Sequence, residues 1–70
     1  MMRVIVNGVS FYTTQQRVKD GVGDNTTVNQ AVRAVYGLVK WYKTNCVSTR
    51  VAVYDHKMQQ QYFDVQIDKL

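Results

Sequence analysis

The residues best suited to acid–base chemistry in this sequence are Asp55 and His56, which are adjacent in the chain. A catalytic dyad needs two side chains within hydrogen-bonding distance of each other and of a substrate, and neighbours in sequence do not in general point the same way. His56 is the only histidine and Cys46 the only cysteine, too few for a zinc site. The sequence therefore predicts no enzyme, with no catalytic residue, metal, cofactor or small-molecule substrate.

A second candidate for chemistry is the stretch DGVGDNTT, residues 20–27. Two glycines before a helix start are the ingredients of an anion-binding nest. The stretch lacks the spacing and the lysine of a P-loop, so we do not expect nucleotide hydrolysis. A phosphate contact at these backbone amides stays open as an alternative.

Composition limits the kind of protein that carries these residues. A chain of 70 residues with an apolar share of 46% predicts a single folded domain, 1–70, close to the size at which a core needs support. One cysteine excludes an internal disulfide framework and favours a reducing compartment. No apolar run approaches the roughly 20 residues that span a bilayer. We expect a cytoplasmic protein with no membrane partner.

The charge balance indicates a polyanionic partner. Nine Lys and Arg against five acidic residues, all of them Asp, give a net charge of +4. Such an excess favours nucleic acid as a partner. The alternative is a basic surface that serves only solubility.

The sequence begins with a hairpin pattern, RVIVNGVSFY, in which Asn7 and Gly8 suit a type I′ turn. A two-residue turn sets Val6 opposite Val9 and Val4 opposite Phe11. A second hairpin follows from the alternation in residues 48–70, with its turn between Asp55 and Gln61.

Between the hairpins we expect a loop over residues 15–25 and a helix over residues 28–44. Thr27 and Gln30 have the spacing of a capping box, and Asn45 suits a left-handed C-cap. The predicted core stripe contains Val28, Ala31, Val32, Val35, Leu38, Val39 and Tyr42. The result is an α+β fold of order ββαββ, a four-stranded antiparallel sheet with one helix packed on one face.

One helix leaves the other face of the sheet open. Alternation places on it Arg3, Ile5, Tyr12, Arg50, Ala52, Tyr54, Tyr62 and Gln66. Tyrosines on an open sheet can stack unpaired bases, while arginines hold phosphates. The predicted nucleic-acid contacts on this face are Arg3, Tyr12, Arg50, Tyr54 and Tyr62. Two alternatives are tyrosines that act only as strand formers and a homodimer with the two open faces packed together.

The helix carries two further candidate surfaces. Ala34, Gly37 and Trp41 lie together, away from the core stripe, and form a predicted protein interface; we call these three residues the outer ridge. Trp41 has an alternative, which is to fold over the edge of the core. Asn29, Arg33, Tyr36, Lys40 and Lys43 form a basic flank, of which Arg33, Lys40 and Lys43 are predicted to contact phosphates.

In size, basic charge and compact ββαββ pattern, with RVIVNG and VAVYDHK as its most distinctive stretches, the chain resembles the small accessory proteins by which tailed phages redirect or disarm their hosts. The resemblance implies a binder in the host cytoplasm. The first hypothesis is a small regulatory protein that binds single-stranded nucleic acid or RNA. The alternative is an inhibitor that docks on a host or defence enzyme through the outer ridge or an exposed strand edge.

Overall fold

The computed structural model describes all residues from 1 to 70 and contains one four-stranded antiparallel sheet and two helices. In chain order the elements are β1 Met2–Val6, β2 Val9–Thr13, α1 Gln15–Asp20, α2 Thr26–Tyr42, β3 Cys46–Tyr54 and β4 Gln60–Lys69. The strand order across the sheet is β2-β1-β4-β3. The α+β class is confirmed, with α2 as the main helix packed on the sheet and α1 as an addition to the predicted ββαββ order.

The first hairpin has the predicted register, with Val6 opposite Val9 and Val4 opposite Phe11. Its turn needs positive φ at both central residues, and Asn7 and Gly8 have φ values of 49° and 83°. Asn7 also binds β4, because its backbone N–H donates to the Asp64 carbonyl at 2.8 Å and its Oδ1 accepts from the Asp64 N–H at 2.9 Å. The turn therefore fixes the first hairpin against the second.

The core lies between the two helices and one face of the sheet. On the sheet side, Val4 of β1 and Val65 and Ile67 of β4 are completely or almost completely buried. On the helix side, Val32, Val35 and Val39 have the same burial. Each such side chain contributes roughly 1.5–3 kcal/mol by leaving water.

The loop predicted for residues 15–25 is wrong in its first half, which forms α1. The Thr14 hydroxyl caps this helix by accepting from the Arg17 N–H at 3.2 Å, and Gly21 ends it with a φ of 116°. Val18 is the one residue of α1 that is buried. A single apolar residue produces no periodicity, so the pattern that finds longer helices cannot find this one.

The ends of α2 also differ from the prediction. Asn25 is the N-cap, and its Oδ1 accepts from the N–H groups of Thr27 and Val28, so the expected cap Thr27 is a buried residue inside the helix. The helix ends at Tyr42, where Lys43 adopts the left-handed conformation (φ 52°) that we expected of Asn45.

Two tyrosines of α2 exchange the places that the pattern assigned to them. Tyr42, predicted in the core, is 65% exposed because it is the last residue of the helix, at the edge of the buried stripe. Tyr36, predicted on the basic flank, is only 5% exposed. Tyr36 belongs to the same buried cluster as Val18 of α1, the helix that packs against α2.

Candidate binding surfaces

The open face of the sheet carries the residues predicted for it. The strand registers place Arg3, Ile5, Tyr12, Arg50, Ala52, Tyr54, Tyr62 and Gln66 on the side away from the buried valines. Tyr12, Tyr54 and Tyr62 are each more than half exposed. Tyr12 belongs to the row of Arg3 and Asp68, six residues along β4 from Tyr62, which is about 20 Å at strand spacing. The tyrosines thus lie at two ends of the face.

Arg3 is held by a carboxylate on this face. Its Nε donates to Asp68 Oδ2 at 2.9 Å, and the Gln66 amide donates to both carboxylate oxygens at 3.1 and 3.0 Å. Hydrogen bonding by the Cys46 thiol and the Arg3 guanidinium lowers the pKa of Asp68. The same carboxylate raises the pKa of Cys46. Asp68 is 8% exposed although it lies on the open face, so this corner of the face is a closed polar network.

Arg50 is paired as well, but in water. Its Nε lies 3.0 Å from Asp64 Oδ1, and both side chains are about two-thirds exposed. The two arginines and two aspartates leave the open face without net charge. The arginines predicted to hold phosphates are therefore already bound to carboxylates.

The outer ridge of α2 is fully open to solvent. Trp41 is 81% exposed, and Ala34 and Gly37 are exposed beside it. A Cβ placed on Gly37 would have no neighbour within 4 Å. At about 100° per residue, Trp41 lies half a turn round the helix from the buried Val32. Trp41 does not fold over the core edge; it points away from the domain.

The basic flank of α2 supplies cations that have no carboxylate partner. Arg33, Lys40 and Lys43 are exposed and form no ion pair. The Lys40 ammonium lies 5.2 Å from the ring centroid of Tyr36, a cation–π contact that leaves the charge at the surface. The unpaired positive charge of the predicted site is thus on the helix and not on the sheet.

The glycine loop before α2 uses its amides internally. Asn29 Oδ1 accepts from the N–H groups of Val22 and Gly23 at 2.9 and 3.2 Å, and Asn29 Nδ2 donates to the Gly23 carbonyl at 2.8 Å. A phosphate at these amides would have to displace Asn29. Sequence reasoning missed this residue, although Asn is a poor helix former and its presence in the second turn was a signal.

The Asp55 carboxylate is the centre of the β3–β4 turn. It accepts from the N–H groups of Lys57 and Gln59 at 2.9 Å and from the Gln61 side chain at 3.0 Å. These bonds, that of Gln59 first, lower the pKa of Asp55. His56 is exposed next to it, beside a polar depression of about 520 Å³ between the turn and the start of α2. The Asp55 carboxylate thus shapes the turn, and its hydrogen bonds go to Lys57, Gln59 and Gln61 and not to His56.

Neither helix of this protein combines the length and apolar character needed to cross a membrane. No three side chains of His, Cys, Asp or Glu are grouped so that they could hold a metal ion. Comparison with family models, curated proteins and solved structures finds no match to this chain. The function of this chain is therefore inferred from the surfaces of α2 and of the sheet.

Proposed function

We propose that this protein is a non-enzymatic binding protein that docks on another protein through the outer ridge of α2. The observation that carries the proposal is Trp41, the largest side chain in the sequence, four-fifths exposed and directed away from its own core. Trp is among the residues most enriched at the energetic centres of protein interfaces. In the isolated domain the indole ring of Trp41 stays in water.

The neighbours of Trp41 suit the approach of another surface. Gly37 costs an isolated helix about 1 kcal/mol relative to Ala, and no contact within the domain requires it. Together with Ala34 it leaves a shallow strip next to the indole. Arg33 and Lys40 lie on one side of this strip. We expect a partner with an apolar pocket for the indole and acidic residues on the rim that faces these cations.

The resemblance to phage accessory proteins gives the partner its class. The resemblance implies a binder in the host cytoplasm that occupies a site on a host or defence enzyme or on its nucleic acid, without a cofactor or small-molecule substrate; the outer ridge favours the enzyme. The exposed outer ridge supports inhibition by docking, because an inhibitor of this kind needs only a surface that binds its target.

Affinity capture from a nuclease-treated bacterial lysate tests the proposal, with wild type, Trp41→Ala and Tyr54→Ala compared. Tyr54 is the matched control, an aromatic side chain that is 56% exposed on the sheet. The expected result is a protein retained by wild type and Tyr54→Ala and lost with Trp41→Ala. With the purified partner, Trp41→Ala should weaken binding by about 2 kcal/mol or more. Identical captured proteins for all three baits would contradict the proposal.

Fluorescence gives an independent measurement, since Trp41 is the only tryptophan. Its emission should be that of a water-exposed indole in the free protein and should shift to shorter wavelength when the partner binds. An unchanged spectrum in the complex would place the interface elsewhere.

A second candidate function is nucleic-acid binding. Seven of the nine Lys and Arg residues have no carboxylate partner, and this supports a polyanion held by the basic flank of α2. Fluorescence anisotropy with RNA and DNA oligomers should then show affinity that falls steeply with salt. Arg33→Glu combined with Lys40→Glu should abolish binding, while Arg50→Gln, which removes a cation already paired with Asp64, should have little effect. Equal affinity for both variants, or no binding at low salt, would exclude this function.

A further inference from the structure

The free edge of β3 is the longest unpaired backbone in the molecule. Strand order leaves β2 and β3 as the two edges, and β3 has nine residues where β2 has five. β3 contains no proline or lysine, the residues that proteins use to block an edge. Its only charged residue, Arg50, is paired with Asp64 on the neighbouring strand. Nothing in the sequence of β3 prevents another strand from pairing with it.

Two hydrogen bonds identify which groups this edge presents. At the turn, the Asp55 N–H donates to the Gln59 carbonyl at 3.0 Å. At the other end, the Lys69 N–H donates to the Asn45 carbonyl at 2.7 Å. In an antiparallel pair, residues that bond to the neighbouring strand alternate with residues that do not. The backbone N–H and C=O groups of the odd-numbered β3 residues therefore bond to β4, and those of the even-numbered residues point away from the sheet. The outward residues are Cys46, Ser48, Arg50, Ala52 and Tyr54. Two of their carbonyls receive only a long hydroxyl contact of 3.4 Å.

The side of α2 above this edge is uncharged. The end of α1 adjoins the other side, because a Cβ on Gly21 would lie 3.1 Å from Asn29 Nδ2 and 3.8 Å from an Arg33 nitrogen. At about 100° per residue, Leu38 and Tyr42 lie on the side opposite these contacts. Since α2 covers mainly β3 and β4, that side faces the free edge. The α2 residues on it are Ala31, Ala34, Leu38 and Tyr42.

We propose that the β3 edge pairs with the β3 edge of a second copy of this chain. The two strands run antiparallel about a twofold axis and join the sheets into one of eight strands. The uncharged sides of the two α2 helices, with Leu38 and Tyr42, then face each other above the junction. The contact is isologous, so one surface serves both copies. This inference goes beyond the proposed function and does not depend on it.

Three observations favour a second copy as the occupant. The β3 strand of a second copy is unpaired at its outer edge and has the same length, so one contact would satisfy the outward backbone groups of both strands. Arg33 and Lys40 of each copy lie on the far side of α2, and Arg50, the one cation of the edge strand, is paired with Asp64 of its own copy. The exposed Tyr42 and half-buried Leu38 supply apolar surface directly above the strands, which a small domain needs to stabilise an association.

The test compares proline substitutions on the two edges. Ala52→Pro removes an outward N–H of β3 and leaves the ladder to β4 intact, a position where edge strands tolerate proline. Ser10→Pro does the same on β2, because the pair Val6 and Val9 flanks the turn and is bonded, which directs the Ser10 N–H outward. Circular dichroism checks that both variants fold.

Sedimentation velocity over a wide concentration range gives the readout. Wild type and Ser10→Pro should form dimers that dissociate on dilution, and Ala52→Pro should raise the dissociation constant at least about tenfold. If Ala52→Pro fails to fold, Tyr42→Asp replaces it, since this side chain is 65% exposed in the monomer; it should weaken the dimer similarly. Wild type that sediments as a monomer at every concentration overturns the inference, as does a folded Ala52→Pro or Tyr42→Asp that associates like wild type.

Discussion

The two faces of the sheet arise from one alternating pattern but are stabilised by different forces. On the covered face, Val4, Val65 and Ile67 are removed from water by α2. On the open face, Arg3 and Arg50 are each neutralised by an aspartate. The covered face depends on a partner element for its stability, whereas the open face satisfies its own charges. Because its arginines are already paired, the open face has no free positive charge to bind a polyanion.

This difference shows where unsatisfied groups remain in the molecule. The indole of Trp41 and the backbone groups along the β3 edge have no partner within the domain. Both lie outside the two faces, one above the helix and one beside the sheet. Binding is therefore proposed at these places, and the open face is expected to be mainly structural.

The largest difference between the two faces is expected when one isoleucine on each face is shortened. Ile67→Ala removes a side chain with no exposure and should cost about 2–5 kcal/mol, the range for such truncations in a packed core. Ile5→Ala, on the open face and partly exposed, should cost about 1 kcal/mol or less, because water already reaches this side chain. Urea unfolding of both variants measures the difference.

Equal loss of stability in the two isoleucine variants would contradict the proposed difference between the faces. Such a result would mean that the open face is covered in solution by another molecule. Repeating the unfolding at several protein concentrations separates this case, since stability that rests on association increases with concentration.

The next largest effect concerns a polar contact on the helical side. Asn29→Ala removes three hydrogen bonds to Val22 and Gly23 and should cost about 1–3 kcal/mol. Hydrogen exchange should accelerate at the Val22 and Gly23 amides before the rest of the domain. Gln30→Ala, an exposed neighbour, is the matched control and should leave both properties unchanged. Retained protection at these amides would show that Asn29 does not hold the loop.

Sequence predicted the sheet better than the helices for a physical reason. Alternation and an Asn-Gly turn fix register locally, so the pairing of Val4 with Phe11 and the membership of the open face could be derived. α1 could not be derived from periodicity because only Val18 anchors it. Its Thr14 cap was a signal that could have been used.

Two errors in the predicted sites have separate causes: the unpredicted helix α1, and ion pairs that the sequence did not reveal. Tyr36 is buried in a cluster that includes Val18 of α1, and no pattern within α2 can reveal that neighbouring helix. The Arg3–Asp68 ion pair depends on β1 lying next to β4, and the Arg50–Asp64 pair depends on the register of the second hairpin. Neither the strand order nor this register could be read from the sequence. The outer ridge, by contrast, follows from helical geometry alone, and the exposure of Trp41 decides between the two alternatives that the sequence left open.

Acid should weaken the closed corner of the open face. The pKa of Asp68 is lowered in the folded state by its hydrogen bonds to Cys46 and Arg3. Its contribution is therefore complete above the unfolded value of about 3.9 and is lost as pH falls through the lower folded pKa. Asp68→Asn should cost about 1 kcal/mol at neutral pH and should reduce the loss of stability below about pH 4. Urea unfolding between pH 2 and 7, roughly the range of carboxyl titration, measures both effects; identical pH curves for variant and wild type would contradict the assignment.

The smallest effect is expected from the other ion pair of the same face. Arg50 and Asp64 are both about two-thirds exposed, so water screens their attraction and the flexible side chains lose freedom when they pair. Arg50→Gln, Asp64→Asn and the double variant should therefore unfold at nearly the wild-type urea concentration, with a coupling energy close to zero. A large coupling would mean that this part of the face is shielded from water in solution. Because Arg50 lies on the β3 edge, a coupling that grows with protein concentration would identify the edge-to-edge dimer as the shield.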